Sequence, residues 1–244
     1  MLAAILFAVT ITMHPLLPRD AKVVETVAVP ASERADRTII LWMHAPQAAP
    51  VPCPDAAADT TPSCPDETRG CFLRGRTRLS LVDARTGRII NTLIVRDPYS
   101  GDDTFDIPVK VLTPGPYLFD PLTRRPNLLR LRDINGDGKA LEFALFDAIS
   151  CADLFTTLFS YNPKRDALVN YPIHMTYTSP GSKQRRHITH WGEHLFNRAP
   201  ITPGHWHFQS VYPPGPPDAP LEEWTVTFVP GKERFEAYCV ATLN

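Results

Sequence analysis

LLRLRDINGDGKALEFALFD, residues 128–147, is the stretch whose reading decides the fold. Asp133, Asn135 and Asp137 stand at the first, third and fifth places of a tight loop, and Gly138 at the sixth permits a sharp backbone turn. Side-chain oxygens at alternate places converge on one point, and hard Ca²⁺ takes many oxygen ligands at about 2.3–2.6 Å. The carbonyl of Lys139, at the seventh place, is a further candidate ligand, and Glu142 a further oxygen. Without a cation, Asp133 and Asp137 repel each other across the loop. The plain alternative is an Asn-Gly or Asp-Gly hairpin turn that holds no ion. LLRLR (128–132) reads as a strand entering the loop and EFALFD (142–147) as a strand leaving it. The run KALEFALFDAISCADLF (139–155) is almost continuously apolar, so periodicity alone also admits a buried helix. The strand reading over 142–147 follows from the loop that precedes it.

Outward from the loop, hairpin signals recur. RLSLVDARTGRIINTLIV (78–95) reads as strand, turn and strand, with Gly87 free to take a positive φ. LFSYNPKRDALVNYPI (158–173) turns at Asn162-Pro163, and TVTFVPGKERFEAYCV (225–240) turns at Pro230-Gly231. Tyr161, Pro163, Leu168 and Tyr171 align with Phe228, Pro230, Phe235 and Tyr238 at the same spacing, 67 residues apart. This is the mark either of an internal repeat of β modules or of two hairpins that share a proline turn. Residues 174–191 read as a strand pair joined at Pro180-Gly181, and TIILWMHA (38–45) as an earlier strand. HWHFQSVY (205–212) alternates, with Trp206 and Phe208 on one face and His205 and His207 on the other.

The acidic segment resembles two families. EF-hands require an acidic residue at the twelfth loop place, which is Ala144 here, and neither flank is an amphipathic helix. FG-GAP or VCBS-type β-propeller blades carry an Asp-x-Asn-Gly-Asp-Gly loop between two strands, with an acidic ligand usually at the ninth place. That place is Leu141 here and Glu142 follows it; Glu142 or Asp147 would have to compensate. The resemblance covers residues 128–173 and implies a four-stranded unit with a structural calcium ion. The segment is also similar to secreted bacterial β-rich proteins of no known activity. The expected fold is all-β, built from meandering antiparallel hairpins, propeller-like or sandwich, with long Pro-rich loops.

Composition agrees with that class. The chain holds 26 prolines in 244 residues, about twice the usual share, and proline stops helices and lacks the N–H that a central strand needs. A net charge of −1 gives no basic field for a phosphate backbone, which excludes nucleic acid as a partner. Arg69, Arg74, Arg76, Arg78, Arg85 and Arg88 read as solvated strand and turn residues. MLAAILFAVTITM suits the apolar region of a signal peptide and is too short for a membrane span. The expected organisation is a signal peptide over 1–20, an N-terminal strand and Pro/Ala-rich linker over 21–77, and a β-rich domain over 78–244. The expected location is periplasmic or secreted, with no membrane span in the mature protein. No basic residue precedes the apolar run, so a buried first strand of a cytoplasmic protein is the alternative. Export would favour a disulfide among Cys53, Cys64 and Cys71; Cys151 and Cys239 complete the five cysteines.

Five histidines fall in 187–207: His187, His190, His194, His205 and His207. Two imidazoles on one strand face, at 205 and 207, can chelate zinc, and Glu193 could serve as third ligand or general base. The plain reading is half-exposed strand histidines, and HExxH, GxSxG, P-loop and dinucleotide motifs are all lacking. Two functions follow. The first is an exported, non-enzymatic, calcium-stabilised β domain with a protein or carbohydrate ligand, met by aromatics such as Trp191, Trp206 and Trp224. The second is an exported metal-dependent hydrolase using His205, His207 and Glu193.

Overall fold

The computed structural model describes residues 17–48, 69–96, 101–113, 128–146, 156–179, 181–188, 190–191, 200–211 and 221–242. These fold as β1 (Ala21–Ala28), a one-turn helix α1 (Ala31–Arg34), β2 (Arg37–Ala48), β3 (Arg69–Asp83), β4 (Ile89–Ile94) and β5 (Thr104–Thr113). After these come β6 (Glu142–Phe146), β7 (Thr156–Asn162), β8 (Ala167–Asn170), β9 (Ile173–Ser179), β10 (Ser182–Ile188), β11 (His190–Trp191), β12 (His205–Val211), β13 (Leu221–Val229) and β14 (Arg234–Thr242). The all-β expectation holds.

The strands form three sheets. The first runs β1-β2-β3-β4, with β5 paired to the N-terminal half of β3. The second runs β10-β9-β14-β13-β12. The third holds β6, β7, β8 and β11, with β7 in the middle. All pairings are antiparallel except β9 with β14, which is parallel and therefore not the product of a simple meander of hairpins. β3 runs unbroken through residues 77 and 78, where the sequence suggested a boundary. Residues 17–20, assigned by the sequence to an export signal, lie on the first sheet. Leu17 packs against the Ile40, Trp42 and Val82 cluster, and the Asp20 carboxylate stands 2.6 Å from His44 Nδ1.

The four-stranded sheet is the middle layer of the three. Phe143, Leu145, Phe159 and Tyr161 point to the first sheet and meet Ile39, Leu41, Met43, Leu79 and Leu81. Ala144 and Leu158 point the other way and meet Trp206, Val226, Phe228 and Phe235 of the second sheet. A strand buried on both faces needs apolar residues at every place, which is why the run at 143–146 lacks alternation. Between the layers, polar side chains act as cross-ties. Asn91 of β4 donates through Nδ2 to the Leu168 carbonyl and accepts the Leu168 N–H at Oδ1, both at 3.0 Å, and so extends a ladder between two sheets.

One strand expected from the sequence does not form. Residues 128–129 form a turn, 130 and 131 take no regular structure, and only Arg132 pairs, as an isolated bridge to Glu142. The reason is that Leu128 and Leu129 are both buried in the same core, which an extended strand cannot do with adjacent side chains. Their N–H groups donate instead to the two carboxylate oxygens of Glu25, at 2.8 and 3.0 Å.

The two hairpins aligned in the sequence share their register. Tyr161 pairs with Leu168 and Asn162 with Ala167; Phe228 pairs with Phe235 and Val229 with Arg234. The last turn residue of each, Asp166 and Glu233, has φ 48°. The match stops at the tyrosines, since Tyr171 is buried and Tyr238 exposed.

Arg37 ties the first sheet to the β7–β8 turn. Its Nε and Nη2 donate to Asp166 at 2.9 and 2.7 Å and its Nη1 to Asp83 at 3.1 Å, with only 8% of the side chain exposed. That hydrogen bond to Arg37 is the main reason the Asp166 carboxyl is held down at about 2. Asp166 therefore stabilises the fold fully above the ordinary aspartate value of about 3.9, and the contribution is lost as pH falls through about 2. Arg37→Met strands Asp166 and Asp83 and should cost about 2–3 kcal/mol in urea unfolding at pH 7. The variant should also lose less stability than the wild type between pH 4 and pH 2. A loss equal to that of a variant at exposed Arg85 would refute this assignment.

Candidate functional site

The acidic loop folds on its own side chains. Asp133 accepts from the Gly136 N–H at Oδ1 (2.8 Å) and from the Gly138 N–H at Oδ2 (3.0 Å). Asn135 Oδ1 accepts from the Asp137 N–H and Asp137 Oδ1 from the Lys139 N–H, each at 2.9 Å. These are Asx turns, in which a short polar side chain stands in for a backbone acceptor. Gly136 and Gly138 sit at φ +82° and +84°. Three of the five sequence-assigned groups are thus gathered in one turn, and each oxygen keeps a lone pair beyond its N–H partner. The Lys139 carbonyl accepts from the Leu141 N–H at 3.0 Å, and the Lys139 ammonium pairs with Glu33 at 2.7 Å.

Glu142 is placed differently from the other four. It is 1% exposed and lies behind the loop. One carboxylate oxygen accepts from the Ile134 and Asn135 N–H groups; the other accepts from Asn135 Nδ2 (3.2 Å) and Ser160 Oγ (2.9 Å). Its pKa is pushed up to about 7, chiefly by desolvation, which the hydrogen bonds offset only in part. Its four donors make it an anchor for the loop backbone. Asp147 lies outside the described residues.

The loop is also wedged against the turn that leads into β12. A Cβ built on Gly136 would stand 2.3 Å from the Pro203 carbonyl oxygen, and one on Gly204 would stand 2.4 Å from the Asn135 carbonyl oxygen. Two glycine backbones therefore meet face to face and join the middle sheet's loop to the second sheet. The pairing of Gly136 with Gly204 is not legible in the sequence, because nothing local links positions 68 residues apart.

Among the described residues, no group of three or more His, Cys, Asp or Glu side chains is gathered to hold a metal ion. The loop's donor set combines two carboxylates with an amide oxygen and a carbonyl. On β12, His205 and His207 share the outer face as expected, with Trp206 and Phe208 turned inward. His205 Nδ1 is 2.8 Å from Thr227 Oγ1 and His207 Nδ1 is 3.2 Å from Thr225 Oγ1, each threonine being the directly opposite residue on β13. His207 Nε2 lies 3.2 Å from Glu223. Glu193 and His194 lie outside the described residues, as do the side chains of His187 and His190. Register sets His187 opposite His174, a histidine the sequence reading passed over.

The expected ligand-facing aromatics need correction. Trp206 is 4% exposed and belongs to the core, because its strand turns that face to the middle sheet. Trp224 packs on Phe208 at the core's edge, with its Nε1 donating to Glu222. The side chain of Trp191 lies outside the described residues. Cys239 is a buried free thiol, pushed up to about 12 by desolvation. Cys53, Cys64 and Cys151, and the side chain of Cys71, lie outside the described residues.

No family model, no curated protein and no solved structure matches the chain.

The two loop glycines separate packing from backbone strain. Gly138 has open space around it, so Gly138→Ala should cost only the left-handed backbone penalty, about 1 kcal/mol. Gly136→Ala adds a clash with the Pro203 carbonyl and the Gly204 nitrogen and should cost at least about 3 kcal/mol. Urea unfolding of the pair checks this, and equal losses would mean that the Gly136–Gly204 contact carries no stability.

Proposed function

We propose that the chain is an exported, non-enzymatic β-rich module with a binding or structural role, in which the 133–139 loop takes one structural Ca²⁺ ion. The observation that carries the reading is the folded state of the loop, where Asp133, Asn135 and Asp137 are already drawn into consecutive turns around the loop amides. Asp133, Asn135 and Asp137 would supply side-chain oxygens and Lys139 its carbonyl. Glu142, also read from the sequence as a ligand, would serve from behind by fixing the amides of Ile134 and Asn135. A bound cation would neutralise the repulsion between Asp133 and Asp137.

The place of the loop fits a structural ion. Through the Gly136–Gly204 contact it joins two sheets, so an ion that stiffens it would stiffen their joint. Glu142, beneath the loop, is engaged by four donors in holding the fold. Export would follow from the apolar N-terminal run, with removal upstream of Leu17 leaving its packing on the first sheet intact. As a binding module, the domain would meet a protein or a carbohydrate.

With no acid at the ninth place, affinity should fall at the weak end for calcium loops, about 10⁻⁴–10⁻³ M. At ten times the dissociation constant, linkage gives about 1.4 kcal/mol, which for this size raises Tm by about 3–6 °C. Wild type should melt that much higher in calcium than in chelator, Asp137→Ala should show no difference between the two, and magnesium should substitute poorly. An unchanged Tm, with no calcium bound in a titration, would reduce the loop to a plain turn.

A further inference from the structure

Arg132 stands apart from the other partly buried charges. Arg37 has three carboxylates, and Arg78 has Asp103 at 2.8 Å. Among the described residues, the Arg132 guanidinium makes no hydrogen bond or ion pair, and its Nε is buried without a partner. Its two natural partners are held by other donors. The carboxylate next to it in sequence, Asp133, is held by the Gly136 and Gly138 amides. The residue opposite it, Glu142, is held by Ile134, Asn135 and Ser160. Desolvation, and after it the charge of Arg130, lowers the Arg132 pKa. Arginine stays protonated regardless, so a desolvated positive centre remains uncompensated.

The backbone around this centre is fixed. The Arg132 N–H donates to the Glu142 carbonyl at 2.7 Å, the Arg132 carbonyl accepts from the Glu142 N–H at 3.0 Å, and the folded acidic loop follows at once. A guanidinium that is anchored, partly desolvated and unpaired, beside a second, exposed one, is organised to receive a planar or tetrahedral oxyanion through its fork of N–H donors.

We propose that Arg132 and Arg130 form a binding site for a small oxyanion group, a carboxylate or a phosphate, with Arg132 as the buried contact and Arg130 as the exposed one. Because the charge is retained without a protein partner, it costs stability until the anion arrives, which a structural arginine would not do.

The test uses thermal unfolding and calorimetric titration of the full chain in calcium-free buffer at constant ionic strength. Inorganic phosphate and acetate are the two probes and chloride the control. Wild type should gain about 3–6 °C at ten times the dissociation constant for one probe over chloride, and the stronger probe identifies phosphate or carboxylate as the group. Arg130→Gln should weaken binding about tenfold. Arg132→Met should bind neither probe, yet melt at or above the wild-type temperature in chloride. The proposal is overturned if neither probe binds wild type, if Arg132→Met gains as much as wild type from the same salt, or if Arg132→Met melts several degrees lower in chloride, which would make Arg132 a structural residue.

Discussion

The burial of the β6–β7 ladder on both faces is the constraint from which the other features follow. A two-faced apolar ladder has no solvent side on which to place polar groups, so any that it carries must be satisfied from within. Glu142 and Ser160 are directly opposed at its end, and both are buried. Glu142 meets the requirement by drawing the amides of Ile134 and Asn135 over itself, and Ser160 by donating to Glu142. The shape of the acidic loop is thus set from beneath by a carboxylate as well as from within by its own Asx turns. The raised proton affinity of Glu142 is the residue of that arrangement, since four donors do not fully replace water.

The same constraint explains where the layers are tied. Apolar contact holds the sheets together but does not fix their angle or offset, whereas directional polar contacts do. Arg37 on Asp166 and Asn91 on Leu168 lock the first sheet to the middle one. On the other side, Asn162 Nδ2 donates to Glu233 at 3.2 Å, and Arg165 pairs with the same carboxylate. Both Asp166 and Glu233 are the left-handed last residues of matching four-residue turns. A shared turn geometry presents an acidic side chain at each, and each is used to cross from one sheet to the next.

Much of this was legible in the sequence, for reasons that differ by element. The β3–β4, β7–β8 and β13–β14 hairpins were readable because proline, glycine and aspartate encode turns locally. β12 was readable because one of its faces is wet and alternation survives. β6 was ambiguous because two-faced burial erases alternation, and only the acidic loop before it indicated a strand. LLRLR misled because its alternation is real in sequence, while its two adjacent leucines enter one core and Glu25, over a hundred residues away, takes their amides. The loop's oxygens could be recognised from spacing alone. The depth of Glu142, the Gly136–Gly204 contact and the inward turn of Trp206 could not, since each depends on which sheet covers which.

The charges show how far spacing can be trusted at a site. Asp133 and Glu142 look equivalent in the sequence, two acids flanking one turn, yet the fold gives them opposite surroundings. Asp133 faces loop amides near solvent, and Glu142 faces amides in the dry interior. Arg132 lies between them in the ladder and pairs with neither, because each carboxylate is already held by donors that cannot move without unfolding the turn. An ion pair requires a carboxylate oriented toward the guanidinium as well as close to it, and here loop amides and the Asn135 and Ser160 side chains set both orientations. The unpaired guanidinium is therefore a consequence of how the loop is built: the amide demands of a tight turn over a two-faced ladder fix where both carboxylates point and leave the Arg132 Nε without a protein partner.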